Sequence, residues 1–547
     1  MLKTAFRALK KNWHWIFFAL IVLVTVYMDV YMAQNVLDSD TSEDVYHGLT
    51  IARENNPFTR DVYLSTELRL LDIATVFALF FKFIGDWTVV RICGTIVMQA
   101  YYVLAFWYLC RQAGISRKST VVGAGLLLVP FSTPYARLVL YHLYYILYFA
   151  NAFWIFALTL KVLLKKRLPV PSACILCGLW VFVGINGIRH MMIIGLPLLA
   201  FTVIELLRTL GRYRWEDGRL IGDEPFLRTH ALRLMGIMMA SCVCFLIGYV
   251  FGSEILQPYY GVESLDSVTF KPVHGPDRYT DILNGFLIAI GVRNSDLPLI
   301  GIRGVALAAA LLSFGCLMFL SLRSLKENSR TARRMVCSLF ALSMITTTLI
   351  FVFERGGRFY EQYYVPVLFL AFPVVTMQWD DLKNSLVPVS RKLLVVMTCL
   401  CLLFQGVYTV WFLRVDQWDY DDWNGLSLTQ MNIVDKAYDY VEFMRENSYS
   451  HGMIDYWYAN VMMEVADGEI TMAPLQVYNN AQGDPVITVY KWGTSRTAFE
   501  HENLPEKIVA FIDAASAAEF EQDYPHAVSV YQDSSMSGYE ITPDDIV

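Results

Sequence analysis

Charged residues are scarce in this sequence of 547 residues: Asp, Glu, Lys and Arg together make up only 17%. Apolar residues make up 56%, and the mean hydropathy is +0.41. Soluble domains carry a larger charged share and a smaller apolar share. The composition therefore excludes an ordinary soluble protein and predicts a chain that crosses a membrane many times.

Cysteine is missing from the C-terminal part of the chain. All ten cysteines lie before residue 402, inside apolar runs. Residues 414–547 hold 24 acids and six bases, whereas the residues before them hold 26 acids and 38 bases. Because residues 414–547 contain no cysteine, this acidic part has no disulfide and no cysteine-ligated zinc. We expect it to form a soluble domain on a basic membrane body.

No small-residue cleavage site follows the first apolar run, which begins near Trp13 and is too long and too aromatic for a cleaved signal peptide. We predict a signal anchor. Stretches of about 20 apolar residues suit membrane-spanning helices. Eleven spans are predicted, at about residues 13–34, 88–110, 119–135, 136–160, 172–188, 190–208, 232–252, 301–322, 335–353, 363–379 and 393–413.

The doubtful segment is 70–85, which is short and carries Asp72 and Lys82. If it does not span, the positive-inside rule puts every basic cluster on the cytoplasmic face. Those clusters lie within residues 3–11, 111–118, 161–167, 208–219 and 323–334. We therefore expect a cytoplasmic N-terminus, an amphipathic or re-entrant helix at 70–85 in the outer interface, and an extracytoplasmic C-terminal domain.

The C-terminal part alternates helix-like and strand-like runs. "IVDKAYDYVEFMREN" has apolar residues at helical spacing, "KIVAFID" and "AVSVYQ" are typical of strands, and "ADGE" marks a turn. An α/β domain follows. It shows no P-loop, Gly-rich dinucleotide motif or Ser/His/Asp arrangement, so we assign it no chemistry and expect it to cover the outer site or bind acceptor.

The outward loops of this topology bring acids and arginines to one face. Asp38, Asp40, Glu43 and Asp44 follow the first span. Later outward loops supply "GIRH" at 187–190 and "ERGGRFYEQY" at 354–363.

This order of features resembles the GT-C superfamily of integral membrane glycosyltransferases, which includes the protein O-mannosyltransferases and the lipid A aminoarabinose transferases. The resemblance rests on "SEDVYHGLTIA" after the first span, on "FIGDWTVVRI" ending a membrane-hugging segment, and on Arg358 with Tyr360 in "RFYEQYYVP". "GMIDYWYANVMMEVADGEI" resembles outward α/β domains appended to bacterial members. One departure concerns the acidic pair, which is Asp-Glu in many relatives, whereas here Glu43 precedes Asp44.

The resemblance implies a polytopic α-helical membrane protein with a C-terminal extracytoplasmic α/β domain. Residues 1–413 would form the GT-C-like catalytic module, with 34–87 as its first extracytoplasmic loop, and 414–547 the soluble domain. It also implies a glycosyltransferase of the plasma membrane. Its expected partners are membrane lipids, a polyprenyl-phosphate sugar donor and a surface glycan, lipid or protein acceptor, with no nucleic acid.

The chemistry agrees with this assignment. Nucleotide sugars are absent outside the cytoplasmic membrane, so the donor must be lipid-linked. Transfer needs a base for the acceptor proton and cations for the leaving phosphate. Asp44 best matches the acidic position of the family and is the expected base, with Asp40 and Glu43 as further candidates. Arginine binds phosphate in a bidentate manner, and the expected donor-phosphate residues are Arg358, Arg355, Arg189 and His190.

Four alternatives stay open at this point. Asp38 and Asp40 have DxD spacing and can ligate Mg²⁺ or Mn²⁺ through oxygen. The acids can instead belong to a solvated loop that caps a helix near residues 44–53, and the arginines can extend toward lipid headgroups. The competing function is a transporter, flippase or polymerase of lipid-linked glycans. Inverted repeats would favour a transporter, and we find no convincing repeat.

Overall fold

The structure is a computed structural model. It describes residues 2–64, 68–212, 214–216, 219–221, 229–262, 275–292, 300–326, 331–353, 364–385, 387–414, 433–479 and 485–546. The chain divides into two compact units. The first unit comprises Met1–Met28, Val97–Ile255 and Ser267–Gly425, and the second comprises Asp29–Ile96, Leu256–Asp266 and Leu426–Val547.

Nine helices in the described residues are long and apolar enough to cross a membrane. They are Lys11–Asn35, Trp87–Gln112, Ile146–Leu164, Met191–Leu210, His230–Tyr260, Ile302–Leu325, Thr331–Phe353, Val365–Lys383 and Val389–Arg414. Each overlaps one predicted span. The prediction of a polytopic α-helical membrane protein is therefore confirmed.

Two of the eleven predicted spans are shorter than expected. Residues 172–188 correspond to the apolar helix Val170–Ile185, which has 16 residues. Residues 119–135 contain the helix Arg117–Leu127 and the single turn Thr133–Tyr135. The 11 residues of the helix reach roughly 16 Å at 1.5 Å per residue, about half the hydrocarbon thickness. Pro130 follows this helix closely, and proline disfavours helical conformation in the residue before it. The predicted span at 119–135 is therefore not one continuous helix.

Several other helices are too short to span a bilayer. The longest of these are Ser39–Glu54, Ile73–Phe81, Pro276–Ala289, Val434–Glu446, Tyr456–Val465 and Ala517–Asp523. Single turns lie at Thr133–Tyr135, Ala136–Tyr141, Asp381–Lys383, His501–Asn503 and Pro543–Asp545. The segment 70–85 holds only the nine-residue helix Ile73–Phe81, so it is not a span, as predicted.

Aromatic rings fill the interior of the first unit. Phe149 stacks on Phe369 with ring centroids 4.3 Å apart, and Tyr102 stacks on Phe153 at 5.5 Å. All four side chains are buried. The dense aromatics around residues 141–154 therefore contribute packing area here rather than an exposed groove.

One buried ion pair joins two apolar helices of the first unit. Glu205 lies on Met191–Leu210 and Arg334 lies on Thr331–Phe353. Arg334 donates from Nε to Oε1 of Glu205 at 2.9 Å and from Nη2 to Oε2 at 2.6 Å. Two parallel hydrogen bonds fix the relative position of the two side chains.

The second unit contains a mixed sheet. A small hairpin of β1 (Arg214–Glu216) and β2 (Arg219–Ile221) belongs to the first unit. The sheet itself is built from β3 (His451–Ile454), β4 (Thr471–Asn479), β5 (Pro485–Val489), β6 (Ile508–Asp513), β7 (Val528–Gln532) and β8 (Met536–Ile541), in the order β5-β4-β3-β6-β8-β7. β3 is parallel to β4 and to β6, and the other neighbours are antiparallel. The predicted α/β domain is confirmed.

The first loop belongs to the same compact unit as this sheet. The Tyr63 N–H donates to the Thr494 carbonyl at 2.9 Å, and the Gly493 N–H donates to the Tyr63 carbonyl at 2.8 Å. Asp61 accepts hydrogen bonds from Ser495 and Thr497. The predicted division into 1–413 and 414–547 stays a prediction, because helix Val389–Arg414 ends there and residues 415–432 lie outside the described residues.

Candidate active site

The acidic stretch begins with a helix cap. Asp38 has extended backbone (φ −137°, ψ 160°), and its side chain accepts a hydrogen bond from the Thr41 N–H at 3.0 Å. The helix Ser39–Glu54 therefore begins five residues before Asp44. The alternative interpretation placed the capped start of this helix later, near residue 44. Asp38, Glu43 and Asp44 are all buried. Burial excludes a solvated connector.

Asp44 forms an ion pair that sequence reasoning missed. Nη1 of Arg69 lies 3.2 Å from Oδ1 and 3.4 Å from Oδ2 of Asp44. Burial raises the pKa of Asp44 to about 6, although the cations Arg69 and Arg91 lower it. A carboxylate with this pKa is ionised at neutral pH and is more basic than an exposed aspartate.

Asp72 is a second acid on this side of the cluster. It caps the helix Ile73–Phe81 and accepts from the Ala74 N–H at 3.0 Å. Burial and the negative charge of Asp44 raise its pKa to about 7, although Arg69 lowers it. Asp44 and Asp72 are thus two acids that compete for the same arginine.

Glu43 differs from Asp44 in its protonation state. Its side chain is buried, and its Oε2 has no hydrogen-bond partner among the described residues. Gly493, with φ +62°, lies against it, and a Cβ there would come within 2.7 Å of the Glu43 carboxyl carbon. Burial raises the pKa of Glu43 well above its ordinary value. We interpret Glu43 as a neutral carboxylic acid rather than as a base.

Asp40 is half-buried and accepts a hydrogen bond from the hydroxyl of Tyr456. The ring of Tyr456 also contacts Tyr490 and Trp492 edge-on, with centroids 6.2 and 6.0 Å away. Asp38 thus caps the helix and Asp40 binds a tyrosine, and the Mg²⁺ or Mn²⁺ site at these two residues stays a prediction. The described part of the chain contains no group of three or more His, Cys, Asp or Glu side chains arranged for a metal.

A second arginine supports the helix Ser39–Glu54, called the acidic helix below, from another side. Nε and Nη2 of Arg91 each lie 2.5 Å from an oxygen of Glu464, and Nη2 also donates to Oγ of Ser42 at 3.3 Å. Nδ2 of Asn460 donates to Oγ of Ser39 at 3.1 Å. Sequence reasoning missed the contacts of Arg69, Asp72, Tyr456 and Glu464.

Two of the predicted phosphate-binding residues lie in the first unit. Gly187 has φ +105°, and this left-handed turn ends the preceding helix just before Arg189 and His190. Nη1 of Arg189 donates to the Tyr144 hydroxyl at 3.4 Å, and the buried ring of His190 stacks on Tyr148 at 4.4 Å. Arg355 and Arg358 lie outside the described residues.

Three solved structures were compared with this chain. ArnT from Cupriavidus metallidurans bound to undecaprenyl phosphate matches with a TM-score of 0.51 and 10% identity over 97% of this chain and 98% of that chain. Its apo state matches at 0.42, with 10% identity over 98% and 99%. The Archaeoglobus fulgidus oligosaccharyltransferase matches at 0.44, with 12% identity over 95% and 72%.

Comparisons by sequence alone gave no match. No protein-family model matches the chain, and no curated protein sequence matches it. The similarity to the first ArnT structure nevertheless covers almost the whole chain. The GT-C-like fold expected from the order of motifs is therefore confirmed, including the C-terminal sheet domain.

Proposed function

We propose that this protein is a glycosyltransferase that moves a sugar from a polyprenyl-phosphate donor to a hydroxyl group of an extracytoplasmic glycan, lipid or protein. The observation that carries the proposal is the ion pair of the buried Asp44 with the half-buried Arg69, within a cluster of acids at the start of a helix. The GT-C-like fold supports a transferase over the alternative of a transporter, flippase or polymerase.

In the proposed reaction, Asp44 accepts the proton of the acceptor hydroxyl. The hydroxyl oxygen then forms a bond to C1 of the sugar, while the bond between C1 and the phosphate oxygen breaks and its electron pair leaves with the phosphate. Arg69 holds the Asp44 carboxylate through both oxygens, which limits its rotation. A pKa of about 6 leaves Asp44 ionised at neutral pH.

The leaving phosphate needs positive charge and hydrogen-bond donors. We assign this role to Arg189 and His190, together with Arg355 and Arg358. The support is that His190 is buried while neither ring nitrogen has a partner among the described residues. Unsatisfied buried nitrogens are costly, so a ligand that accepts a hydrogen bond would stabilise them.

The proposal includes an orientation in the cytoplasmic membrane. The N-terminus lies inside, and the acidic helix and the C-terminal domain lie outside, because the basic loops follow the positive-inside rule. Protease added to cells stripped of their wall should then cleave within residues 414–547. Protection of these residues until the membrane is permeabilised would contradict the orientation.

The direct test uses purified full-length protein in lipid vesicles with undecaprenyl phosphate that carries a labelled sugar. We expect release of undecaprenyl phosphate from the wild-type protein in the presence of cell-envelope acceptors, and almost none from Asp44→Asn. Donor binding should persist in this variant, because the base does not contact the phosphate. Equal release by both proteins would remove Asp44 from the reaction.

A further inference from the structure

The helix Tyr456–Val465 of the C-terminal domain carries three polar side chains at positions i, i+4 and i+8. Residues at this spacing lie on one face of a helix. Two of the three contact the helix Ser39–Glu54 directly: Tyr456 donates to Asp40, and Asn460 donates to Ser39. Glu464 pairs with Arg91, which donates to Ser42 of that helix. We infer that this face positions the catalytic acids, so that the C-terminal domain is part of the catalytic centre rather than a cover over it.

The contacts are buried as well as specific. The side chain of Glu464 is only 1% exposed and that of Arg91 only 4%. Asn460 is completely buried. Buried polar groups that hydrogen-bond to each other select one arrangement, because a shift would leave a donor or acceptor without its partner. In Asn460 the bonded group is Nδ2, while Oδ1 has no hydrogen-bond partner among the described residues. The first turn of the acidic helix is therefore held on its Ser39, Asp40 and Ser42 side.

Glu464 also affects the pKa of Asp44, because it partly neutralises Arg91. Arg91 lowers the pKa of Asp44, and the carboxylate of Glu464 offsets part of that positive charge. Replacing Glu464 by glutamine should therefore lower the pKa of Asp44. The groups that face Asp44 are Asp38, Asp40, Glu43 and His47 on its own helix, Asp72 at the start of the next helix, Arg69 before it, and Arg91 with its partner Glu464.

This inference rests on the proposed function, but its first test does not require transfer. Infrared difference spectra of the full-length protein between acidic and neutral pH report the carboxylic acid band of buried acids. We expect a band of Asp72 that titrates near pH 7 and, in the wild-type protein, a band near pH 6 that is absent from Asp44→Asn. In Glu464→Gln its midpoint should fall by about one pH unit.

The matched control is Glu205→Gln, which breaks the buried ion pair of the first unit. Its midpoint for the Asp44 band should equal the wild-type value. An unchanged midpoint in Glu464→Gln would overturn the inference, whether or not the protein transfers sugar. Absence of transfer by the wild-type protein, with the expected infrared shift, would reject the proposed function alone.

The second test removes a single hydroxyl group. Tyr456→Phe should lower kcat for sugar transfer about tenfold and leave KM for the donor unchanged, because Asp40 loses a hydrogen bond while the aromatic contacts stay. Tyr458 lies on the same helix, where its ring contacts Tyr440. The variant Tyr458→Phe should transfer sugar at the wild-type rate. Equal kcat in the two variants would show that Tyr456 only packs.

Discussion

Two buried arginine–glutamate pairs in this protein look alike but have different surroundings. Arg334 and Glu205 hold two apolar helices together in the first unit, with both side chains about 8% exposed. Arg91 and Glu464 are buried even more deeply in the second unit, and Arg91 also contacts Ser42 of the acidic helix.

The difference lies in the other acids nearby. Glu43, Asp44 and Asp72 near the second pair have raised pKa values because they are buried. Structural ion pairs also occur in membrane bundles, so burial alone does not mark a site. An excess of buried acids over cations does, because such an arrangement costs stability that a structural element would not need to lose.

The largest effect should come from removing the proposed base. Asp44→Asn keeps the shape of the side chain but cannot accept the acceptor proton, so we expect a 10²–10⁴-fold loss of transfer rate. Asp40→Asn serves as the comparison and should lose less. If Asp40→Asn is inactive and Asp44→Asn is not, the base is Asp40. Full activity of both would leave the acids without a catalytic role.

The comparison of the two ion pairs predicts equal losses of stability but unequal losses of function. Glu205→Gln and Glu464→Gln each leave a buried arginine without its partner, which should lower the free energy of unfolding by about 3–5 kcal/mol. Thermal unfolding followed by tryptophan fluorescence measures the stability of both variants, and sugar transfer measures their function.

Double variants separate the two pairs further. Glu205→Met with Arg334→Met should recover most of the stability and full activity, because no charge is left buried. Glu464→Met with Arg91→Met should recover stability but not activity, because the acidic helix loses its contact with Arg91. Recovery of activity in both double variants would show that the second pair is only structural.

A smaller effect is expected at the proposed phosphate site. Arg189→Ala removes a charge-assisted hydrogen bond worth roughly 1.5–3 kcal/mol, so transfer at limiting donor should fall about ten- to a hundredfold. Arg358→Ala should behave similarly. Transfer at saturating donor should fall less, and an unchanged rate at limiting donor would exclude the arginine concerned from the site.

The pH dependence of the wild-type protein gives the smallest effect. A raised pKa means that Asp44 takes up its proton already near pH 6, and the protonated acid cannot act as base. The transfer rate should therefore be constant above about pH 7 and fall about tenfold per pH unit below 6. A rate that stays constant down to pH 4 would indicate an exposed, ordinary carboxylate.

The sequence was sufficient for the architecture because apolar length and charge are local signals. The C-terminal helix Val434–Glu446 and the strands β6 and β7 occur where their periodicity predicts. The exception at 119–135 shows the limit of composition: a run can be apolar enough and still contain a proline that stops the helix.

The site was only half predictable. The acids of residues 38–44 were visible as an unusual cluster beside an apolar run. Their partners were not, because Asp40 and Tyr456 are 416 residues apart, and Arg91 and Glu464 are 373 residues apart. The polar residues at i, i+4 and i+8 of one C-terminal helix were a readable signal. Nothing local showed which surface that face would contact.

The same separations determine when the acidic cluster can form during synthesis. Chains fold from the N-terminus as they are made. The acidic helix is complete long before Tyr456, Asn460 and Glu464 have been synthesised, and all nine apolar helices precede these residues as well. A chain interrupted between residues 414 and 456 would therefore keep every candidate span of the described residues but lack Tyr456, Asn460 and Glu464. Only the full-length chain can assemble the proposed site.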